Sequence, residues 1–139
     1  MSVEFEVIGI PAPQGSKRHV GRGIMVESSK KLSPWRDAVA LAARDVAADV
    51  GMLDGPLKLT VEFRLRMPAS RPARVRRVGR AWASTKPDLS KLVRSTEDAL
   101  TTGGLIRDDA RICVLAVSKV EVWDGWSGAV ISVNRLEAL

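Results

Sequence analysis

The sequence predicts a single α+β domain in which a mixed sheet of about four strands packs against two helices, and three observations carry that prediction. Apolar and polar residues alternate with the period of a strand from Val3 to Val7 and again from Leu57 to Met67. Apolar residues recur every three or four positions, as on a helix with one buried face, from Trp35 to Val46 and from Leu89 to Leu100. Two further apolar runs, ICVLAVSKV and AVISV, have the length of strands. A chain of 139 residues can bury an ordinary core, and no repeat or second domain is visible, so residues 1–139 read as one domain with basic loops at about 11–32 and 68–87.

Taken in order, the first strand continues through Ile8 and Ile10 and stops at Pro11. The next stretch, PAPQGSKRHVGRGIMVESSKK, carries Pro, Gly and Ser punctuation and reads as a loop or short irregular hairpin. In it Lys17, Arg18, Arg22, Lys30 and Lys31 face only Glu27, which suits either a solvated surface loop or a phosphate-binding one. Ser33 followed by Pro34 is the signature of a helix start, Trp35 is expected as a core anchor, and Gly51 ends the helix. The second strand, LKLTVEFRLRM, points Leu57, Leu59, Val61, Phe63, Leu65 and Met67 one way and Lys58, Thr60, Glu62, Arg64 and Arg66 the other. The apolar run from Ile112 is expected to be a strand buried on both faces. Asp124-Gly125 is a turn signal, predicting that the last strand folds back as a hairpin on its predecessor. Trp123 and Trp126 flank that turn and can cover the sheet edge or a partner surface.

Charge and cysteine usage narrow the partners. A formal net charge of +6 favours a polyanion, nucleic acid first and an acidic membrane surface second. From Arg64 to Lys86 the chain has eight basic residues and no acidic one: Arg64, Arg66, Arg71, Arg74, Arg76, Arg77, Arg80 and Lys86. Pro68, Pro72 and Gly79 argue against regular structure there, leaving a solubilising loop or a nucleic-acid grip in which Trp82 stacks on bases. The single cysteine, Cys113, excludes an intramolecular disulfide and is expected to be a small buried side chain. With one Cys and one His, His19, no Cys/His zinc site can form, so a catalytic metal must be a hard cation held mainly by oxygen. Glutamates occupy the place of a basic signal-peptide start, and no apolar run approaches ~18 residues, so a cytoplasmic protein with no membrane span is expected.

The segment KPDLSKLVRSTEDALTTGGLIRDD organises the rest. Pro87 and Asp88 open a helix over residues 89–101, and Gly103 and Gly104 close it. Such a helix is roughly 20 Å long at ~1.5 Å per residue, and the return from Thr102 to Asp109 covers about 25 Å if extended at ~3.3 Å per residue. Asp109 can therefore come back level with Asp88, where the two carboxylates would share a cation such as Mg²⁺. The competing reading makes Asp88 a helix cap and Asp108 and Asp109 turn residues.

These motifs resemble the RusA family of Holliday junction resolvases, endonucleases of bacterial and phage origin. The PQGSKR loop, the SPWRDAV helix and above all PDLSKLVRSTEDALTTGGLIRDDARI carry the resemblance. It implies a homodimer, Mg²⁺ or Mn²⁺ dependence and paired nicks in four-way or other branched DNA, inside a bacterial cell or a phage-infected host. It assigns Asp88 and Asp109, with Asp108 beside it, as metal ligands, and places the family's basic helix residue at Arg94. Arg94 or Lys119 would stabilise the extra charge of the transition state, while Lys17, Arg18, Arg71, Arg74, Arg76, Arg77, Arg80 and Lys86 grip the DNA. Two positions depart from the pattern: Arg94 stands for the family's lysine and, more seriously, the family's second carboxylate falls on Ser90. Asp108 or Glu97 compensates, two carboxylates and more water suffice, or cleavage is lost and a branched-DNA-binding protein remains. An RNA-binding module would account for the charge but not for the bracketing aspartates.

Overall fold

Strand β4 (Leu57–Arg66) is the spine of the sheet, since its alternation gives it one wholly apolar face. Leu57, Leu59, Val61 and Phe63 are buried on that face, and the opposite face is half-buried and charged. In this computed structural model, which describes residues 2–15, 17–19, 25–27 and 31–139, the sheet has the order β1-β7-β4-β6-β5. The strands beside β4 are β1 (Ser2–Ile8), β5 (Arg80–Trp82), β6 (Ile112–Val122) and β7 (Gly128–Arg135). Within this sheet, β4 and β6 run parallel and the other described pairs antiparallel. A separate two-stranded ribbon joins β2 (Lys17–His19) to β3 (Met25–Glu27).

Helices α1 (Leu32–Val50) and α3 (Leu89–Thr102) contribute Trp35, Val39, Ala43, Leu92, Ala99 and Leu100 to one core with the apolar face of β4. The indole of Trp35 is buried and donates to Thr96 Oγ1 across the two helices at 3.3 Å, which satisfies its one polar atom. Small residues let the helices close up. A Cβ on Gly103 would lie 2.5 Å from the Ala40 carbonyl and 2.8 Å from the Ala43 Cβ, so glycine is required where α3 ends against α1. The mixed sheet and its two main helices bear out the α+β expectation, with a fifth strand added.

Four expectations are corrected. The last two strands are not a hairpin: β7 lies beyond β4, so residues 123–127 carry the chain over the end of β4. The Asp-Gly pair still makes its turn, with Asp124 at φ 60°, but a local turn signal does not fix which strand the next one joins. Strand β6 is not buried on both faces, since residues 113–116, Cys113 included, are exposed. Its neighbour β5 reaches only from Val120 to Val122, so among the described residues the first half of β6 is an open edge. The basic stretch after β4 is partly regular. Helix α2 (Ala73–Val78) starts after Pro72 and stops at Gly79, φ 84°, so Pro and Gly delimit the helix instead of forbidding it. Finally, α1 begins at Leu32, which puts Ser33 and Pro34 inside the first turn.

Candidate active site

Asp88 stands at the N-terminus of α3 with extended backbone, but its side chain makes no capping hydrogen bond. Its carboxylate is exposed and its nearest cation is Lys91, 3.8 Å away, one turn along the helix. The capping reading therefore does not consume this group. The entry into α3 is fixed from outside: Lys119 on β6 donates to the carbonyls of Thr85 and Pro87 at 2.5 and 2.7 Å. Those two bonds occupy the ammonium expected to meet the transition state, so Lys119 holds the backbone just before Asp88 in place. Asp88 opens into a groove of about 510 Å³ whose rim carries Lys31, Arg66, Lys86 and Lys91, a setting that attracts an anion such as a phosphate.

Asp109 is elsewhere. It accepts a hydrogen bond from Thr101 in the last turn of α3 and lies against Asp98. Asp98 is ten residues after Asp88, about 15 Å along the helix at ~1.5 Å per residue. The chain thus stops short of the full return that the sequence allows, because residues 109–111 coil into a turn of 3-10 helix and enter β6 at the C-terminal end of α3. Asp108 caps this turn by accepting from the Ala110 N–H at 3.5 Å. Burial, then the carboxylates of Asp98 and Asp108, push the Asp109 pKa above its ordinary value against the opposing hydrogen bond from Thr101. Burial and the charges of Asp109 and Asp98 likewise raise Glu97, which Arg94 partly offsets. Among the described residues, no group of three or more His, Cys, Asp or Glu side chains comes together to hold a metal ion. The carboxylates of one copy do not fit the divalent-ion site that the sequence suggests.

The loop after β1 braces the middle of α3. Ser95 Oγ donates to the Ala12 carbonyl at 2.7 Å, the Gln14 N–H to the Lys91 carbonyl at 3.0 Å, and Gln14 Nε2 to Asp98 Oδ2 at 2.5 Å. Gly15, at φ 103°, leaves room for Arg94: a Cβ there would lie 2.6 Å from the guanidinium. Gln14, Asp98 and Thr101 were not legible as site residues, because their roles depend on this packing. Lys17 and Arg18 stand in β2, but their side chains, like residues 20–24 and 28–30 of the basic loop, lie outside the described residues.

The arginines after β4 divide into two groups. Arg71 binds Glu121 through two nitrogens at 2.7 and 3.1 Å, and Arg80 binds Glu62 at 2.6 and 3.3 Å. Arg76 donates to the Arg71 carbonyl and covers the ring of Trp123, as Arg64 covers Trp126. These cations build the fold. Arg74, Arg77 and Lys86 are exposed, and Trp82 beside them is 75% exposed.

No curated protein sequence matches the chain. The family model for endodeoxyribonuclease RusA matches residues 9–134, from the loop that braces α3 to the end of β7. This match over nearly the whole chain shows that the protein belongs to the RusA endodeoxyribonuclease family.

Proposed function

We propose that the protein is a homodimeric, structure-selective endonuclease that hydrolyses phosphodiester bonds in four-way or other branched DNA. The observation that carries this reading is an uncapped carboxylate, Asp88, in a groove rimmed by four cations, within a chain of an endodeoxyribonuclease family. Lys86, Lys91 and Arg66 draw the backbone phosphate to the groove, and Lys119 keeps the Pro87–Asp88 entry rigid while it binds. Arg94, exposed on the same helix, supplies positive charge for the transition state. Arg74, Arg77 and Trp82 hold a flanking arm, with Lys17 and Arg18 as a second grip. A divalent cation, Mg²⁺ or Mn²⁺, is the cofactor this chemistry calls for; Asp88 would be its ligand in the groove, whereas Asp109, at the other end of α3, does not reach it within one copy.

One observation favours a second reading. Ser90, exposed one residue past Leu89, offers no charge where a second carboxylate would strengthen ion binding, so the chain would bind junctions without cutting them. Incubation of the wild type with Mg²⁺ and a labelled four-way junction separates the two. Paired nicks at symmetric positions support the nuclease; a shifted but uncut junction, with nicking restored by Ser90→Asp, supports the binding protein.

A further inference from the structure

The crossover from β6 to β7 encloses a cavity separate from the groove at Asp88. This pocket, of about 390 Å³, is lined by Arg66, Val122, Trp123, Asp124, Gly125 and Ser127. Arg66 also lines the Asp88 groove, so the two cavities adjoin at one side chain. A second link runs through Gly9, next to the Ile10 that walls the groove. The Gly9 N–H donates to the Ser127 carbonyl at 3.1 Å, and Ser127 Oγ donates to the Gly9 carbonyl at 2.8 Å. The rest of the crossover is pinned as firmly. The Trp123 N–H donates to the Gly79 carbonyl at 2.9 Å, Arg64 Nε donates to the Trp126 carbonyl at 3.1 Å, and Arg76 and Arg64 lie over the rings of Trp123 and Trp126. These contacts fix the pocket before any ligand arrives.

Its two charges are unspent. Arg66 and Asp124 are exposed, and neither side chain makes a hydrogen bond or ion pair among the described residues. By contrast Glu62 and Glu121, the other carboxylates of β4 and β6, are each bound by an arginine. A guanidinium and a carboxylate lining one cavity match an occupant that carries both a negative group and hydrogen-bond donors, and a nucleotide carries both. Asp124 repels phosphate, so the phosphate belongs at Arg66 and the base at Asp124. Among the bases, guanine suits a carboxylate best. Its N1–H and 2-amino group are adjacent donors that meet both carboxylate oxygens, whereas adenine and cytosine present one donor beside an acceptor and thymine one donor between two acceptors.

We propose that this pocket binds an unpaired guanine nucleotide, its phosphate on Arg66 and its Watson–Crick edge on the Asp124 carboxylate. The pocket's use on branched DNA rests on the nuclease reading above; its preference for guanine does not. A base whose pairing edge lies on Asp124 has left its partner, and extrusion costs least where pairing or stacking is already interrupted, as at a branch point. A strand that enters the Asp88 groove past Arg66 thus has one base read beside that groove.

Nuclear magnetic resonance of the tryptophan indole N–H groups and junction binding test this. Titration with deoxyguanosine monophosphate is expected to shift the Trp123 signal and leave that of buried Trp35 in place. Deoxyinosine monophosphate, which lacks the 2-amino group, is expected to need at least about fivefold more ligand for the same shift. Asp124→Asn, which tolerates the φ of 60° at this position, is expected to lose that difference at unchanged thermal stability. With a chelator present, the wild type is expected to bind a four-way junction carrying one unpaired guanine at the branch at least about fivefold tighter than the same junction with hypoxanthine there, and Asp124→Asn to bind the two alike. An unmoved Trp123 signal, equal shifts by the two nucleotides, a preference kept by Asp124→Asn, or junctions bound alike by the wild type would overturn the proposal. If the wild type takes the guanine nucleotide in preference but binds no junction, the pocket stands and the nuclease reading fails.

Discussion

Asp109 is held where its neighbours oppose its charge. Burial and the carboxylates of Asp98 and Asp108 raise its pKa, and Asp109 and Asp98 help raise that of Glu97. A raised folded pKa contributes stability that is present below the unfolded carboxylate values, 3.8 for Asp and 4.5 for Glu, and is lost as pH rises through the folded values. Asp109→Asn keeps the acceptor for Thr101 and removes the repulsion. In buffer with a chelator it is expected to raise Tm by about 2–4 °C at pH 7 and to lose that gain near the bottom of this window, which thermal melts across pH can check. A lower Tm at pH 7 would mean that the Thr101 contact outweighs the repulsion. The places of Asp88 and Arg94 were legible because both stand on one helix whose bounds are local signals. Gln14 and Thr101 were not, since a glutamine in a loop and a threonine in a helix gain meaning only from the chain segments brought against them.

At the scale of elements, the sequence marks α3 within one residue, because its apolar spacing and its flanking Pro and Gly are local signals. Strand β4 is equally plain from its alternation. The place of β7 beyond β4 is not legible, since strand order is set by distant packing. The exposure of β6 is hidden for another reason: an apolar run reads the same whether it enters a core or stands at the edge of a sheet. In the basic segment, charge alone could not separate arginines that build the fold from those left free. Glu121, 5% exposed and bonded to Arg71, ties the segment before α2 to β6. Glu121→Gln is expected to destabilise the protein by about 2 kcal/mol in urea melts, less than a fully buried pair would cost because Arg71 reaches solvent. Arg74→Ala with Arg77→Ala is expected to leave stability unchanged and to lower the salt slope of junction binding by about 1–2. An unchanged slope would remove α2 from the DNA contact.

In the whole molecule, one side of the sheet carries the two main helices, and the groove at Asp88 lies at one end of α3 while Asp109 lies at the other. The exposed arginines and Trp82 extend from the Asp88 end of the sheet, where β5 and the C-terminal half of β6 meet. The most direct test of the central claim is single-turnover cleavage of a four-way junction by the wild type and by Asp88→Asn, with junction affinity measured in parallel. The account predicts paired nicks by the wild type and a loss of more than about 100-fold in the variant at unchanged affinity. Equal nicking by Asp88→Asn, or none by the wild type, would contradict it.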